Sequence, residues 1–146
     1  MPSVESAVRQ LDAQGRLTRV RDRSGGAAGM IDYVREALDQ ALPAELEDFY
    51  RAGVARIGDF NAVLPIGNDR FGWRSGSTRI DALRHAGAAP VFSDGCGSLF
   101  GLDLTACGAT PAVYFFDHED GFAAPRWASG SSLGAFLLIL ADSDRA

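Results

Sequence analysis

The hydrophobic pattern of this chain changes once, after Gly58, and the change separates a helical part from a strand-rich part. Before that point, apolar residues recur every three or four positions, as on the buried face of a helix; the clearest set is Ile31, Val34, Leu38 and Leu42. After it, short apolar runs are interrupted by Gly, Pro, Asn and Asp, which is typical of β-strands joined by tight turns. This change of pattern predicts an α+β fold.

Three helices are predicted in the N-terminal part. The first covers Ser3–Gln14, where Ser3 can cap the helix and Gly15 can end it. The second runs from Ile31 onward, and the third begins at Pro43, because proline is favoured in the first turn of a helix. The Arg- and Gly-rich residues 15–29 between the first two helices are predicted to form a flexible loop.

Four short strands and two helices are predicted in the remainder. The strands are Phe60–Leu64, Pro90–Ser93, Ser98–Leu104 and Ala112–Phe116. One helix covers residues 76–86, and a final helix follows Ser131 and Ser132, which can cap it. The 146 residues suit one domain spanning 1–146. We therefore expect a mixed or antiparallel sheet of short strands, flanked by N-terminal helices and a C-terminal helix.

The charge distribution argues against direct binding to nucleic acid. The net charge is −5, and all 14 basic residues are Arg. Residues 1–84 carry 12 Arg and 12 acids, whereas residues 85–146 carry 2 Arg and 7 acids and so hold the whole excess. A polyanion requires a concentrated basic face. The acidic C-terminal part is either a solvated surface or a docking face for a basic partner.

The sequence also predicts a protein of the cytoplasm with no membrane partner. Its longest apolar run, Ala135–Ala141, covers seven residues, whereas a bilayer-spanning helix needs roughly 20. Met1–Gln10 has no apolar block behind a cationic head, so it does not resemble a secretory signal. Cys96 and Cys107 belong to no C-x-x-C pair and are expected to be free thiols.

Three motifs raise the possibility of chemistry, and each has a simpler structural interpretation. Gly130–Gly134 matches the G-x-S-x-G pattern of hydrolases, but no histidine follows it, so Ser132 is expected to cap a helix. Asp117–Asp120 could bind a divalent metal or act as general acid and base, yet four consecutive side chains converge poorly, which favours a solvated turn. Asp94–Gly97 suits a hairpin turn, and Cys96 within it has no evident base. We predict no cofactor and no resident metal.

Taken in order, several segments resemble the SUKH superfamily, which contains fungal cell-wall assembly regulators and many bacterial immunity proteins. The segments that carry the resemblance are Leu42–Tyr50, Phe71–Trp73, Pro90–Asp103, Pro111–Glu119 and Leu133–Leu140. The Leu-Pro-x-x-Leu helix and the Asp-Gly-x-Gly hairpin are its strongest motifs. The resemblance covers about 110 of the 146 residues, from Ile31 to Leu140.

The resemblance implies a protein without catalytic activity that binds and neutralises a cognate toxin domain, often a nuclease with a basic face. Charge and position suggest six contact residues: Trp73, Asp94, Asp103, Asp117, Glu119 and Asp120. Two alternatives stay open. One is a regulator or adaptor with a protein partner that is not a toxin. The other is a small metal-assisted hydrolase that uses Asp117, His118 and Glu119.

Overall fold

The computed structural model confirms an α+β fold. It describes residues 3–19, 26–59, 61–63, 78–94, 97–105, 110–121 and 127–143. The α-helices in these ranges are α1 (Val4–Ala13), α2 (Gly26–Leu38), α3 (Ala44–Arg51), α4 (Thr78–Ala86) and α5 (Leu133–Ser143). The strands are β1 (Leu17–Arg19), β2 (Val54–Ile57), β3 (Asn61–Ala62), β4 (Ala88–Ser93), β5 (Leu99–Asp103), β6 (Val113–Phe116) and β7 (Trp127–Gly130).

The helix ends follow the capping residues that the sequence indicates. The Ser3 hydroxyl accepts a hydrogen bond from the Ser6 N–H at 3.1 Å and so caps α1. Gly15 has a φ of +69°, a left-handed conformation that ends the helix at little cost for glycine. Pro43, predicted as the first helical residue, is instead the N-cap of α3, one position before the helix begins at Ala44. Helices α1 and α3 therefore begin and end within a residue or two of their predicted limits.

The strands form two antiparallel sheets, with the orders β1-β2-β3 and β4-β5-β6-β7. An isolated antiparallel bridge between Val63 and Phe92 connects the end of the first sheet to β4. Every residue of β4 is buried, which indicates that this strand is covered on both faces.

The core lies on both faces of the larger sheet. On one face, the Phe136 ring of α5 lies 4.9 Å from the Phe100 ring and 5.7 Å from the Phe92 ring, centroid to centroid. The buried residues of α1 and α3 belong to the same cluster. Because neighbouring residues of a strand point to opposite faces, Leu99 lies on the other side from Phe100, where it packs with Leu83 of α4.

Within the predicted loop at residues 15–29, the structure describes 15–19 and 26–29, and these ranges contain strand β1 and the start of α2. Leu17 pairs with Ile57 in β1 and β2, and α2 begins at Gly26. The Arg19 guanidinium donates to the Ala52 carbonyl at 2.5 Å and lies 3.1 Å from Asp12 Oδ2. Pairing with a distant strand thus orders a stretch whose own composition is typical of a loop.

Two further strands, β2 and β7, were not predicted from the sequence. Of the predicted strand Phe60–Leu64, the structure describes 61–63, and its end residues lie outside the described ranges. No helix within those ranges is both long enough and apolar enough to cross a bilayer.

Candidate functional site

Strand pairing brings two acidic segments to one end of the larger sheet. Leu99 pairs with Ser93 on one side and with Phe116 on the other. The β4–β5 hairpin, which precedes Leu99, is therefore next to the turn that follows Phe116. The hairpin carries Asp94, and the turn carries Asp117 and Glu119. We call these three carboxylates the acidic edge.

A serine hydroxyl joins the hairpin to the turn. Ser98 Oγ accepts the backbone N–H of His118 at 3.1 Å and lies 2.8 Å from Nδ1 of the same residue. Ser98 is 5% exposed, whereas the His118 side chain is 47% exposed. One buried hydroxyl thus contacts both the backbone and the ring of His118.

Backbone contacts shape the hairpin around this serine. Asp94 Oδ1 accepts the Ser98 N–H at 3.0 Å, and the Asp94 N–H donates to the Ser98 carbonyl at 3.1 Å. Gly97 has a φ of +101°, which favours glycine, and a Cβ there would lie 3.4 Å from the Cγ atom of the His118 ring. The imidazole therefore lies directly against the hairpin backbone.

The turn after β6 is a short 3-10 helix at His118–Asp120. Asp117 caps it, since Asp117 Oδ1 accepts the Glu119 N–H at 2.9 Å, and Gly121 ends it with a φ of +65°. The same Asp117 oxygen lies 3.6 Å from His118 Nδ1. Glu119 is exposed. Asp120 belongs to the 3-10 helix, but its side chain lies outside the described set.

Of the other two predicted contact residues, one lies away from this edge and one lies outside the residues that the structure describes. Asp103 is at the opposite end of β5, paired with Ala88, and its Oδ1 accepts the Thr105 N–H at 2.9 Å. Trp73 lies outside the described residues. Four of the six predicted contact residues have described side chains, and three of those four form the acidic edge.

The hydrolase-like motif has a structural role. Ser132 is fully buried, and its hydroxyl accepts the Ala135 N–H at 3.0 Å, which caps α5. This geometry supports the N-cap interpretation over a nucleophile. Cys96 and Cys107 fall in parts of the chain that the structure does not describe.

The predicted cluster at Asp117–Asp120 does not gather into a ligand set in the described part of the chain. Within that part, no three His, Cys, Asp or Glu side chains are placed so that they could hold a metal ion. Asp117 instead caps the 3-10 helix, and His118 contacts Ser98. Both contacts agree with a structured turn.

Ser98 is the site residue that the sequence interpretation missed. Its only signal was its position, directly after the Asp-Gly-x-Gly turn, where a small polar residue can close the hairpin by hydrogen bonding. Its contact with His118, 20 residues later, depends on the register of β5 against β6. That register is not evident from either segment alone.

The comparisons with known proteins return no relative on which to base a function. No family model matches the chain, and searches of curated proteins and of solved structures find no significant match. The geometry of the site and the resemblance to the SUKH superfamily therefore remain as the guides to function.

Proposed function

We propose that this chain is a non-enzymatic binding protein that neutralises a toxin domain with a basic face in the cytoplasm. The observation that carries the proposal is the acidic edge, where strand pairing places Asp94 beside the turn that holds Asp117 and Glu119. The toxin as partner comes from the resemblance to SUKH immunity proteins.

The acidic edge is suited to docking because two of its three carboxylates are held in place. Asp94 and Asp117 each accept a backbone N–H, at 3.0 and 2.9 Å, so these side chains are ordered before a partner arrives. A nuclease must attract phosphate and therefore has a basic active face. A preformed acidic surface would steer such a partner and fix its orientation, and buried aromatic contacts would supply most of the affinity.

The same contacts favour binding over metal-assisted hydrolysis. His118 Nδ1, one of the two ring nitrogens, contacts the buried Ser98 hydroxyl at 2.8 Å and so does not face a substrate or metal ion. Asp117 uses one oxygen to cap the 3-10 helix. A regulator that binds a harmless protein through this edge is the second candidate, because the acidic surface suits any basic partner.

Partner capture followed by growth rescue tests the proposal. Tagged protein serves as bait in a lysate of the native organism, and each captured protein is expressed alone and together with this chain. We expect one captured protein to arrest growth alone and to lose that effect on co-expression. Capture of proteins that never affect growth would support the regulator. Micromolar Mn²⁺ or Zn²⁺ binding that is lost in His118→Ala would overturn both in favour of the hydrolase.

Charge variants then test whether the acidic edge is the docking surface. The test variant is Asp94→Asn/Asp117→Asn/Glu119→Gln, in which asparagine can still accept both capping hydrogen bonds. The control variant, Asp32→Asn/Glu36→Gln/Asp39→Asn, removes three charges from exposed positions at α2. We expect the association rate with the captured partner to fall on the order of tenfold at low salt in the test variant only. Equal rates in the two variants would contradict docking at this edge.

A further inference from the structure

We propose that the outward face of α5 binds a second copy of this chain, with the two α5 helices packed antiparallel about a two-fold axis. The face consists of Ala135, Leu138, Ile139 and Asp142, and we call it the α5 stripe. These residues follow one another at steps of three or four, so they lie along one line on the helix. The proposal concerns this chain alone and does not rest on the proposed function.

The composition of α5 is apolar around its whole circumference. Eight of its eleven residues are apolar, all except Gly134, Asp142 and Ser143. A helix that is hydrophobic on every side is normally buried on every side. In α1, by contrast, five of the six exposed residues are polar, namely Glu5, Ser6, Arg9, Gln10 and Asp12. The outer side of α5 therefore differs from that of an ordinary surface helix.

The burial of α5 shows which of its sides is left uncovered. Phe136 and Leu137 are at most 3% exposed and belong to the core. Ile139 is 50% exposed, and among the described residues it is the large hydrophobic side chain that stands out as exposed. Leu138 and Ala135 beside it are half-buried. The apolar part of the stripe thus faces away from the core.

A second copy fits this stripe better than a basic partner does. Ala135, Leu138 and Ile139 carry no charge, so they offer nothing that attracts a basic surface. Apolar side chains gain free energy when another apolar surface removes them from water. In a two-fold contact the same residues meet from both sides, so one neutral apolar stripe covers another. Ala135 is small and leaves room for a larger side chain of the second copy.

Asp142 determines the direction of the two helices. In a parallel pair, the two Asp142 carboxylates would lie side by side and repel each other. In an antiparallel pair, each Asp142 lies at the other helix's N-terminal end, which carries Ala135 and is preceded by the exposed Ser131. The Ser131 hydroxyl can donate a hydrogen bond to a carboxylate. The antiparallel direction therefore separates the like charges and supplies each carboxylate with a donor.

The length of α5 limits the affinity of this contact. A helix of eleven residues is about 16 Å long. Stable interfaces usually bury about 1,200 Å² or more, which one short helix does not provide. Helix α1 and strand β7 pack beside α5 and extend the surface around the stripe. We therefore expect a weak dimer that forms at high protein concentration.

Sedimentation equilibrium of the natural chain is the first test. The concentration should range from about 10 µM to about 1 mM, because contacts of this size are weak. We expect the mean mass to rise with concentration from that of one chain toward that of two. A mass that stays at that of one chain over the whole range would overturn the proposal.

Ile139→Gln tests whether α5 forms the contact. Glutamine is a good helix former, and this change removes exposed apolar surface without changing the net charge. We expect the Kd of the dimer to rise about tenfold. The control is Ala41→Gln, at an exposed position between α2 and α3, which should leave the Kd unchanged. A Kd equal to that of the natural chain in folded Ile139→Gln, checked by circular dichroism, would overturn the proposal.

Ser131→Lys tests the antiparallel direction at a position outside the helix. Its ammonium group would lie near Asp142 of the second copy, so we expect the Kd to fall about threefold at low salt. Ala41→Lys makes the same change in net charge at a distant exposed position and is the control. Equal Kd values for the two lysine variants would refute the antiparallel packing.

The partner found by capture gives a further outcome. If the natural chain stays monomeric and Ile139→Gln no longer binds that partner, the α5 stripe belongs to the partner and the proposal is wrong. If the dimer forms as expected while capture finds no toxin, the proposed function fails and the dimer stands.

Discussion

The Glu45 carboxylate, in the first turn of α3, accepts a hydrogen bond from the backbone N–H of Leu133, the first residue of α5, at 3.4 Å. The contact joins two helix N-termini that are 88 residues apart in the chain. Helix N-termini attract negative charge. Burial nevertheless raises the pKa of Glu45 above its ordinary value of 4.5, and the opposing effect of the Leu133 N–H is smaller.

Glu45→Gln should therefore reduce the dependence of stability on pH. A carboxyl whose pKa is raised by folding stabilises the protein most below its unfolded value, near pH 4.5, and loses that contribution as pH rises through the folded value. Glutamine keeps an acceptor for Leu133 and cannot ionise. We expect urea unfolding to show a smaller loss of stability between pH 4.5 and 7 in this variant, and at pH 7 no destabilisation relative to the parent.

Glu5→Gln is the control for that experiment, because Glu5 lies in the first turn of α1 with its side chain 83% exposed. Because its side chain is exposed, it should change the pH profile of unfolding less than Glu45→Gln does. If both variants reduce the pH dependence of stability equally, the change in net charge, and not the burial of Glu45, is the cause of that dependence.

Tyr50→Phe should destabilise the junction between α3 and β4. Tyr50 is buried, and its hydroxyl donates to the Pro90 carbonyl at 3.4 Å. Burial raises the pKa of Tyr50 above its ordinary value of 10, so the hydroxyl remains a donor throughout the neutral range. We expect a loss of about 1 kcal/mol in the free energy of unfolding. Tyr114→Phe, at a half-buried position, should cost less, and an equal loss would mean that the Pro90 contact contributes nothing specific.

The sequence predicts best the elements whose own residues determine them. The helix at Val4–Ala13 has a regular apolar face and a serine cap, and both appear in the structure. The strand Val113–Phe116 is a run of four β-favouring residues. By contrast, Leu17–Arg19 has two exposed residues out of three, and Trp127–Gly130 ends in small residues. Such edge strands form because a neighbouring strand pairs with them, and the residues of the edge strand alone do not reveal that pairing.

The same distinction holds for the acidic edge. Its carboxylates were candidates because charge is visible in the sequence. That Asp94 lies near Asp117 while Asp103 lies at the other end of β5 follows from the pairing of Leu99 with Ser93 and Phe116. Ser98 was overlooked because a serine after a turn has many possible partners, and register selects His118.

Ser132→Ala should cost about 1 to 2 kcal/mol of stability. The Ser132 hydroxyl accepts the Ala135 N–H at 3.0 Å, and the side chain is fully buried, so alanine leaves a helix N–H without its partner. Ser131→Ala, at the exposed neighbouring position, should change stability by less than about 0.5 kcal/mol. Thermal unfolding of both variants measures the difference. Equal melting temperatures would contradict the capping role.

Alanine substitutions at two glycines should have opposite effects. A Cβ at Gly101 in β5 would lie 2.9 Å from the Ala89 carbonyl oxygen of the paired strand and 3.2 Å from the Phe116 ring. The backbone oxygen belongs to the sheet and cannot move away cheaply, so we expect Gly101→Ala to lose about 1 to 3 kcal/mol.

Gly29 in α2 provides the opposite case, because a Cβ there would meet nothing within 4 Å. Alanine is the better helix former by roughly 0.5 to 1 kcal/mol, so Gly29→Ala should raise the free energy of unfolding by about that amount. Urea titrations of both variants measure the two effects under the same conditions. A stable Gly101→Ala protein would mean that β4 and β5 separate readily at this point. That result would also weaken the evidence for the strand register that places Asp94 beside the turn at Asp117.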